Sequence, residues 1–240
     1  MTDKSACIIG ASGGIGSALA ALLPARGYGR IHAGMRSPRT VAGPGFRPFA
    51  IDLCDTASIE TAAADIAAAG PLDLLVVATG VLHREPDIRP ERSLKQIERD
   101  AMETVFSINT IGPALVARYF LPLLARDRRA VAVFLSARVG SIADNRLGGW
   151  HSYRASKAAL NALVRGFAIE ARARNGQSVV AALHPGTVDT GLSKPFQRGV
   201  RAGQLFTASQ SARHLLDVAD RLGPDDSGGF FAWDGSVMPF

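Results

Sequence analysis

Short apolar runs recur along the chain, and most are bounded by glycine, proline or aspartate. This pattern is typical of strands that are covered on both faces, whereas a strand with one face in water alternates apolar and polar residues. We therefore predict buried strands near Ala6–Ile9, Arg30–Gly34, Phe46–Asp52, Leu72–Ala78, Val131–Ser136, Ser178–His184 and Gly229–Trp233.

Helical patterns lie between these runs. We predict helices that open at Thr56, that run from about Asp100 to Leu124 and from Ser152 to Arg174, and that end near Leu222. Gly112-Pro113 and Pro122 are expected to bend the second helix, because proline cannot donate a backbone hydrogen bond. Thr207 or Ser209 is expected to cap the last helix. The regular alternation predicts one α/β domain over residues 1–240, built on a doubly wound parallel sheet.

Several small and polar residues fall at or just after the predicted strand ends. They are Gly10, Asp52, Gly80, Ser136 and Pro185. In a doubly wound sheet, ligands bind in the crevice outside the carboxyl ends of the strands. We therefore expect one crevice to collect these residues.

A glycine-rich turn joins the first predicted strand to an apolar helical stretch. It runs Gly10-Ala11-Ser12-Gly13-Gly14-Ile15-Gly16. Glycines permit a tight turn and close approach of the backbone to a pyrophosphate, and the helix N-terminus presents unpaired N–H groups to phosphates. The spacing Gly-x-x-x-Gly-x-Gly differs from Gly-x-Gly-x-x-Gly, and an ordinary glycine-rich turn is the alternative. The strand–turn–helix context favours a dinucleotide-binding loop.

Tyr153 and Lys157 are four residues apart in a predicted helix, so they share one face. A neighbouring positive charge favours the phenolate, and we expect Lys157 to lower the pKa of Tyr153 toward useful proton transfer. A tyrosine and a lysine at this spacing also arise by chance. The catalytic interpretation therefore depends on the glycine-rich turn as well.

Together, the Gly10–Gly16 turn and Tyr153-x-x-x-Lys157 resemble the motifs of the short-chain dehydrogenase/reductases. The segments Ser136–Ile142 and Gly229–Gly235 look most like the C-factor and sniffer-type carbonyl reductases of that family. The resemblance implies a Rossmann-like sheet of about seven strands in the order 3-2-1-4-5-6-7. It also implies hydride transfer between a nicotinamide cofactor and a carbonyl, with Tyr153 as the acid and base. Lys157 would also hold the nicotinamide ribose.

The resemblance extends to further segments. Asp52-Leu53 matches a family segment that contacts adenine, and Ala78-Thr79-Gly80 stands where the family has Asn-Ala-Gly. Asn109 stands at the place of a fourth catalytic residue that binds a relay water; a polar group that satisfies a bent helix is the alternative. The nicotinamide carboxamide would be met by Pro185, Gly186, Thr187, Val188 and Thr190.

One catalytic position departs from the family pattern. The family serine stands three residues before a glycine, and this register gives Ala137 before Gly140. Neighbours along a strand point to opposite faces, so Ser136 is expected to face away from the site. Ser136 or Ser141 is the candidate for the hydroxyl that holds the substrate carbonyl, and the sequence does not choose between them.

The end of the second predicted strand indicates the cofactor. NAD enzymes of this architecture carry an acidic residue there, which binds the ribose 2′-hydroxyl. Here Met35 occupies that place and Arg36 follows. A guanidinium can pair with a 2′-phosphate, so we predict NADP(H) rather than NAD(H), with Ser37 and Arg39 as lesser candidates. A solvent-facing loop arginine is the alternative.

Composition argues against several other classes of protein. The net charge is +6, but the arginines are spread along the chain, which argues against nucleic-acid binding. The chain has no apolar run of the ~20 residues that span a bilayer, and its first strand starts too early to leave room for a signal peptide. We predict a cytoplasmic protein without a metal, with Cys7 and Cys54 as small buried hydrophobic residues.

The partners that we predict are a small carbonyl or alcohol substrate and, from the family resemblance, a second copy of the chain in a homodimer or homotetramer. The alternative function is a cofactor-binding regulatory or signalling protein with little turnover, because the fold binds nucleotide without demanding chemistry. Ala137 favours this alternative, and the intact Tyr153/Lys157 pair argues against it.

Overall fold

The centre of the molecule is a seven-stranded parallel sheet. The computed structural model describes residues 4–38, 45–201 and 203–240. The strands of the sheet are β1 (Lys4–Ile9), β2 (Tyr28–Met35), β3 (Phe46–Ala50), β4 (Leu74–Val77), β5 (Ala130–Leu135), β6 (Ser178–His184) and β9 (Phe230–Ala232). A separate two-stranded parallel pair is formed by β7 (Thr187–Val188) and β8 (Leu205–Phe206).

The order of the strands is β3-β2-β1-β4-β5-β6-β9. This is the predicted doubly wound order, with β9 as the seventh strand of the sheet, so the predicted fold class is confirmed. Ile9 of β1 pairs with Gly34 of β2 and with Val77 of β4. The carboxyl ends of these three strands are therefore level, and the turns that follow them open on the same edge.

Helices cover both faces of the sheet. They are α1 (Gly14–Leu22), α2 (Thr56–Ala68), α3 (Arg99–Phe106), α4 (Gly112–Phe120), α5 (His151–Arg174) and α6 (Ala208–Arg221). Side chains of α1 and α6 share one buried cluster, and side chains of α2, α4 and α5 share the other. Along β1, Ala6 and Ile8 belong to the first cluster, whereas Cys7 and Ile9 belong to the second. The central strands β1, β4, β5 and β6 contribute to both cores, which explains their largely apolar sequences.

The helix predicted from Asp100 to Leu124, with bends at Gly112-Pro113 and Pro122, is irregular at both places. A π-helical segment, Ser107–Ile111, separates α3 from α4, and a 3₁₀ turn follows at Leu121–Leu123. Pro113 has no N–H group with which to bond the carbonyl four residues earlier, at Asn109. The wider π turn is a form in which helices absorb such a defect, and it is common at functional sites.

Two smaller predictions are decided by the structure. Thr207 caps α6, because its side chain accepts a hydrogen bond from the Gln210 N–H in a capping box. Cys7 is buried, as predicted, but Cys54 is exposed. The prediction that Cys54 is buried is wrong, because β3 ends at Ala50 and Cys54 lies in the turn before α2.

Candidate active site

A cavity of about 870 Å³ opens at the carboxyl edge of the sheet. Its wall combines segments that are far apart in the sequence: residues 13–15 after β1, residues 78–80 after β4, and Tyr153 and Lys157 from α5. The glycine-rich turn and the tyrosine–lysine pair therefore belong to one site.

The turn between β1 and α1 suits an anionic ligand. Gly10 has a φ of 93°, and a Cβ on Gly16 would overlap the Gly10 carbonyl oxygen, so both positions require glycine. The N-cap residue Gly13 has no side-chain cap, and the first turn of α1 has no acidic side chain. The N–H groups at this helix end are free to bind phosphate oxygens. The hydroxyl of Thr79, beside Gly10, is buried without a protein partner.

Tyr153 and Lys157 lie on the buried face of α5. Tyr153 is 8% exposed and Lys157 is 3% exposed. The Lys157 Nζ donates a hydrogen bond of 2.9 Å to the Leu135 carbonyl oxygen at the end of β5. A Cβ added to Gly80 would lie 3.4 Å from the same nitrogen. The ammonium group is thus held at the floor of the cavity, between the ends of β4 and β5.

Burial controls the protonation of both groups. It lowers the pKa of Lys157 from 10.5 to about 8, because desolvation penalises the ammonium. It raises the pKa of Tyr153 above its ordinary value, because desolvation penalises the phenolate. The expectation that Lys157 lowers the pKa of Tyr153 is therefore not met in this structure. The phenol remains protonated at neutral pH, which is the state that a proton donor requires.

Asn109 is fully buried in the π segment, and its side chain is occupied. The Oδ1 accepts a hydrogen bond from the Val81 N–H at 2.8 Å, and the Nδ2 donates to the Val81 carbonyl at 2.9 Å and to the Ser156 hydroxyl at 3.1 Å. The Asn109 amide joins the bent helix to the chain after β4 and to α5. These contacts favour the structural role of the side chain over the relay.

Both candidate serine hydroxyls have a hydrogen-bond partner within the protein. The Ser136 hydroxyl donates to the Asn161 Oδ1 at 2.7 Å, beneath α5. The Ser141 hydroxyl accepts from the Asp144 N–H at 3.1 Å, and Ser141 does not line the cavity. Ala137, at the register of the family serine, does line it. Ser136 lines the cavity as well, although its hydroxyl is bonded to Asn161, so the expectation that Ser136 faces away from the site is not confirmed.

Other predicted cofactor residues lie outside this cavity. Arg36 is exposed after β2, and Asp52 is exposed after β3, with its carboxylate accepting from the Cys54 N–H at 2.9 Å. Leu53 is buried against Gly112. Gly10, Ser12 and Gly16 shape the turn without lining the cavity. Arg39 lies outside the described residues.

The segment after β6 forms the opposite wall. All five of its predicted cofactor residues line the cavity, namely Pro185, Gly186, Thr187, Val188 and Thr190. Gly186 has a φ of 79°, and a Cβ there would collide with the ring of Phe206. Phe206 in turn packs against Trp233, with ring centroids 4.7 Å apart.

Sequence reasoning missed Glu91. This residue is 4% exposed, and its carboxylate accepts hydrogen bonds from the Ser152 N–H, at 3.2 Å, and from the Ser152 hydroxyl. Its carbonyl accepts from the Trp150 N–H. Glu91 therefore caps α5, whose N-cap residue has no capping side chain of its own, next to Tyr153. No local pattern could reveal a cap that comes from 61 residues away.

Aromatic and basic side chains surround the outer part of the cavity. Trp150, Arg154 and Phe196 line the cavity, whereas His151 does not. His83 stands behind Phe196, and its Nε2 lies 3.0 Å from the Gly191 carbonyl oxygen. His184 was not predicted, although it lines the cavity. Burial lowers the pKa of His184 to about 4, so this imidazole is neutral at physiological pH.

Comparisons with known proteins place the chain in a family. The sequence profile described as short chain dehydrogenase matches residues 4–200. The C-signal of Myxococcus xanthus is 33% identical over 171 residues, which cover 71% of this chain and 94% of that protein. A 1-hydroxy-2-glutathionyl-2-methyl-3-butene dehydrogenase of Rhodococcus sp. (strain AD45) is 31% identical over 233 residues, which cover 96% of this chain and 97% of that protein.

A solved structure agrees. The NADPH-bound carbonyl reductase from chicken fatty liver superposes with a TM-score of 0.85 and 26% identity, over 100% of this chain and 96% of that one. The chain belongs to the short-chain dehydrogenase family. It is an oxidoreductase of that family, and the C-factor and carbonyl-reductase resemblance of the sequence is confirmed.

None of the described helices combines the length and the hydropathy that a bilayer crossing requires.

Proposed function

We propose that the protein is an NADP(H)-dependent reductase of aldehydes or ketones, with Tyr153 as the proton donor. The observation that carries the proposal is the shared cavity. Residues 13–15 of the phosphate-binding turn and the pair Tyr153/Lys157 line the same continuous cavity. A nucleotide on the turn can therefore reach the phenol, which a dehydrogenase requires.

The protein side of the reaction is positioning and proton transfer. The bound nicotinamide would supply the hydride. Tyr153 donates its proton to the oxygen of the substrate carbonyl as negative charge develops there. Lys157, beside Gly80, holds the ribose and replenishes the proton. Because Ala137 stands in the place of a serine, the Tyr153 hydroxyl is the main hydrogen-bond donor to the substrate carbonyl. We therefore expect a modest kcat.

Cofactor preference rests on Arg36. The residue is exposed at the carboxyl end of β2, adjacent along the sheet to the turn after β1. No acidic residue stands at this strand end, where an NAD enzyme binds the ribose hydroxyls. An exposed guanidinium there pairs with a 2′-phosphate, so NADPH is the expected cofactor. The carbonyl reductase from chicken fatty liver, which is similar in structure, is itself NADPH-bound.

The test is a panel of aldehydes and ketones with NADPH absorbance as the readout. The wild type is expected to oxidise NADPH with at least one member of the panel. Tyr153→Phe is expected to lose about 10²- to 10⁴-fold in kcat, the range typical of a lost general acid, while it still binds NADPH. NADPH binding without oxidation across the whole panel would support the regulatory or signalling alternative instead.

A further inference from the structure

The cavity extends past Tyr153 into a region that the cofactor residues do not explain. On one side of this region lie side chains from the segment between β5 and α5, including Arg138, Asp144, Arg146 and Leu147. On the other side lie Leu192, Phe196 and Val200, from the segment after β7. We call this region the distal pocket.

Aromatic and aliphatic side chains form most of the distal pocket. The Trp150 ring meets the Phe196 ring edge to face, with centroids 5.0 Å apart, and meets the Tyr153 ring with centroids 6.4 Å apart. Leu82 and Val139 add aliphatic surface. A flat apolar group packs favourably against such a surface, because aromatic surfaces bury large areas in defined orientations.

The charges around the distal pocket are not balanced. Asp144 is the one carboxylate that lines the cavity among the described residues, and it is bound by Arg138 at 2.7 Å. Arg146 and Arg154 also line the cavity, and neither forms an ion pair with a carboxylate in the described part of the chain. The guanidinium of Arg146 bonds the carbonyls of Ala143 and Asn145 in its own loop.

Arg154 is the more informative of the two, because it is half-buried and follows Tyr153 directly. Its Nε donates to the Gly149 carbonyl at 3.0 Å, and its Nη1 donates to the Val139 carbonyl at 3.3 Å. A guanidinium has five N–H donors, so three remain for a ligand. Partial burial lowers the pKa of Arg154, and no carboxylate in the described part of the chain pairs with it.

We propose that the distal pocket selects carbonyl substrates that carry a carboxylate on a flat apolar body, and that Arg154 and Arg146 bind this carboxylate. The inference rests on the proposed reductase function. A substrate carboxylate supplies the anion that the protein lacks here, and a planar guanidinium binds it through paired hydrogen bonds. The apolar surface that Trp150 and Phe196 form together packs against the body of the substrate, with its carbonyl toward Tyr153.

The test compares two aldehydes with the same ring, 4-carboxybenzaldehyde and methyl 4-formylbenzoate, in NADPH oxidation assays. We expect kcat/KM to be about tenfold higher for the acid than for the ester, mainly through KM, as one charge-assisted pair provides. This ratio is expected to fall toward one in Arg154→Met and to be partly kept in Arg154→Lys, which retains the charge but not the planar pair of donors. Added salt is expected to reduce the ratio.

The controls separate the charge from the fold. Arg172→Met removes the same charge from the same helix, about 27 Å along its axis, and is expected to leave the ratio unchanged. If Arg154→Met does not fold, the same ratio is measured in Arg146→Met. This variant changes an exposed residue and removes the second of the two proposed carboxylate-binding cations. Equal kcat/KM for the two aldehydes would overturn the inference but leave the reductase function standing. An equal loss of kcat/KM for both aldehydes in Arg154→Met would also overturn the inference, because Arg154 would then only hold the loop in place. No oxidation with either aldehyde or with the wider panel would instead overturn the reductase function.

Discussion

Replacement of the buried Lys157 by methionine provides a quantitative test of the site. In the wild type the pKa of Lys157 falls from 10.5 in the unfolded chain to about 8 in the folded protein, because the ammonium is 3% exposed. At neutral pH the buried ammonium therefore destabilises the folded state. A shift of this size corresponds to about 3 kcal/mol of unfavourable free energy below pH 8.

The sign of the pH dependence follows from proton counting. Below pH 8 the lysine is protonated in both states, so the full penalty is present. Between pH 8 and 10.5 the folded state has lost the proton and the unfolded state has kept it, so the unfolded state binds more protons and stability rises with pH. Above 10.5 the penalty is gone. Between about pH 7 and about pH 9.5, wild-type stability should rise by about 2 kcal/mol relative to the variant.

Urea unfolding of both proteins across this pH range provides the assay, with the difference between their unfolding free energies as the readout. Groups that titrate in both proteins, such as the buried Tyr28, cancel in this difference. Lys157→Met also leaves the Leu135 carbonyl without its donor, at a cost of about 1–3 kcal/mol that does not vary with pH. A difference that stays constant with pH, or that changes in the opposite direction, would refute the assignment of Lys157 as a desolvated ammonium.

Three further predictions concern single side chains. Arg36→Ala is expected to raise the KM for NADPH about tenfold and to leave the KM for NADH unchanged, since only the 2′-phosphate contact is lost; equal effects on both cofactors would contradict this role. Ala137→Ser is expected to raise kcat several-fold, on the order of one added hydrogen bond to the carbonyl oxygen, and unchanged steady-state kinetics would show that the position is too far from the substrate. Glu91→Ala is expected to lower the free energy of unfolding by about 1–2 kcal/mol, as the loss of a helix cap does. It is also expected to lower kcat, with a smaller change in the KM for NADPH. The exposed Glu98→Ala is its control, and equal stabilities of the two variants would refute the cap.

The sheet and the location of the site were accessible from the sequence because both depend on local patterns. Apolar runs define the strands, and strand ends bring the Gly10–Gly16 turn and Tyr153 to one edge. Contacts between distant segments were not accessible. The partner of the Ser136 hydroxyl is Asn161, across the sheet–helix interface, and no spacing rule links the two. The direction of the pKa shift of Tyr153 depends on the depth of its burial, which the sequence does not specify.

The close contact between Gly140 and α5 limits how this enzyme can change its substrate range. A Cβ on Gly140 would lie 2.8 Å from the Lys157 Cβ and 2.9 Å from the Lys157 carbonyl carbon, so the loop backbone rests directly on the helix. A larger side chain at this position would push the lysine away from Leu135. Mutational drift toward new substrates is therefore confined to the rim, at residues 144–150 and 191–200, where side chains can vary while the reaction centre keeps its shape.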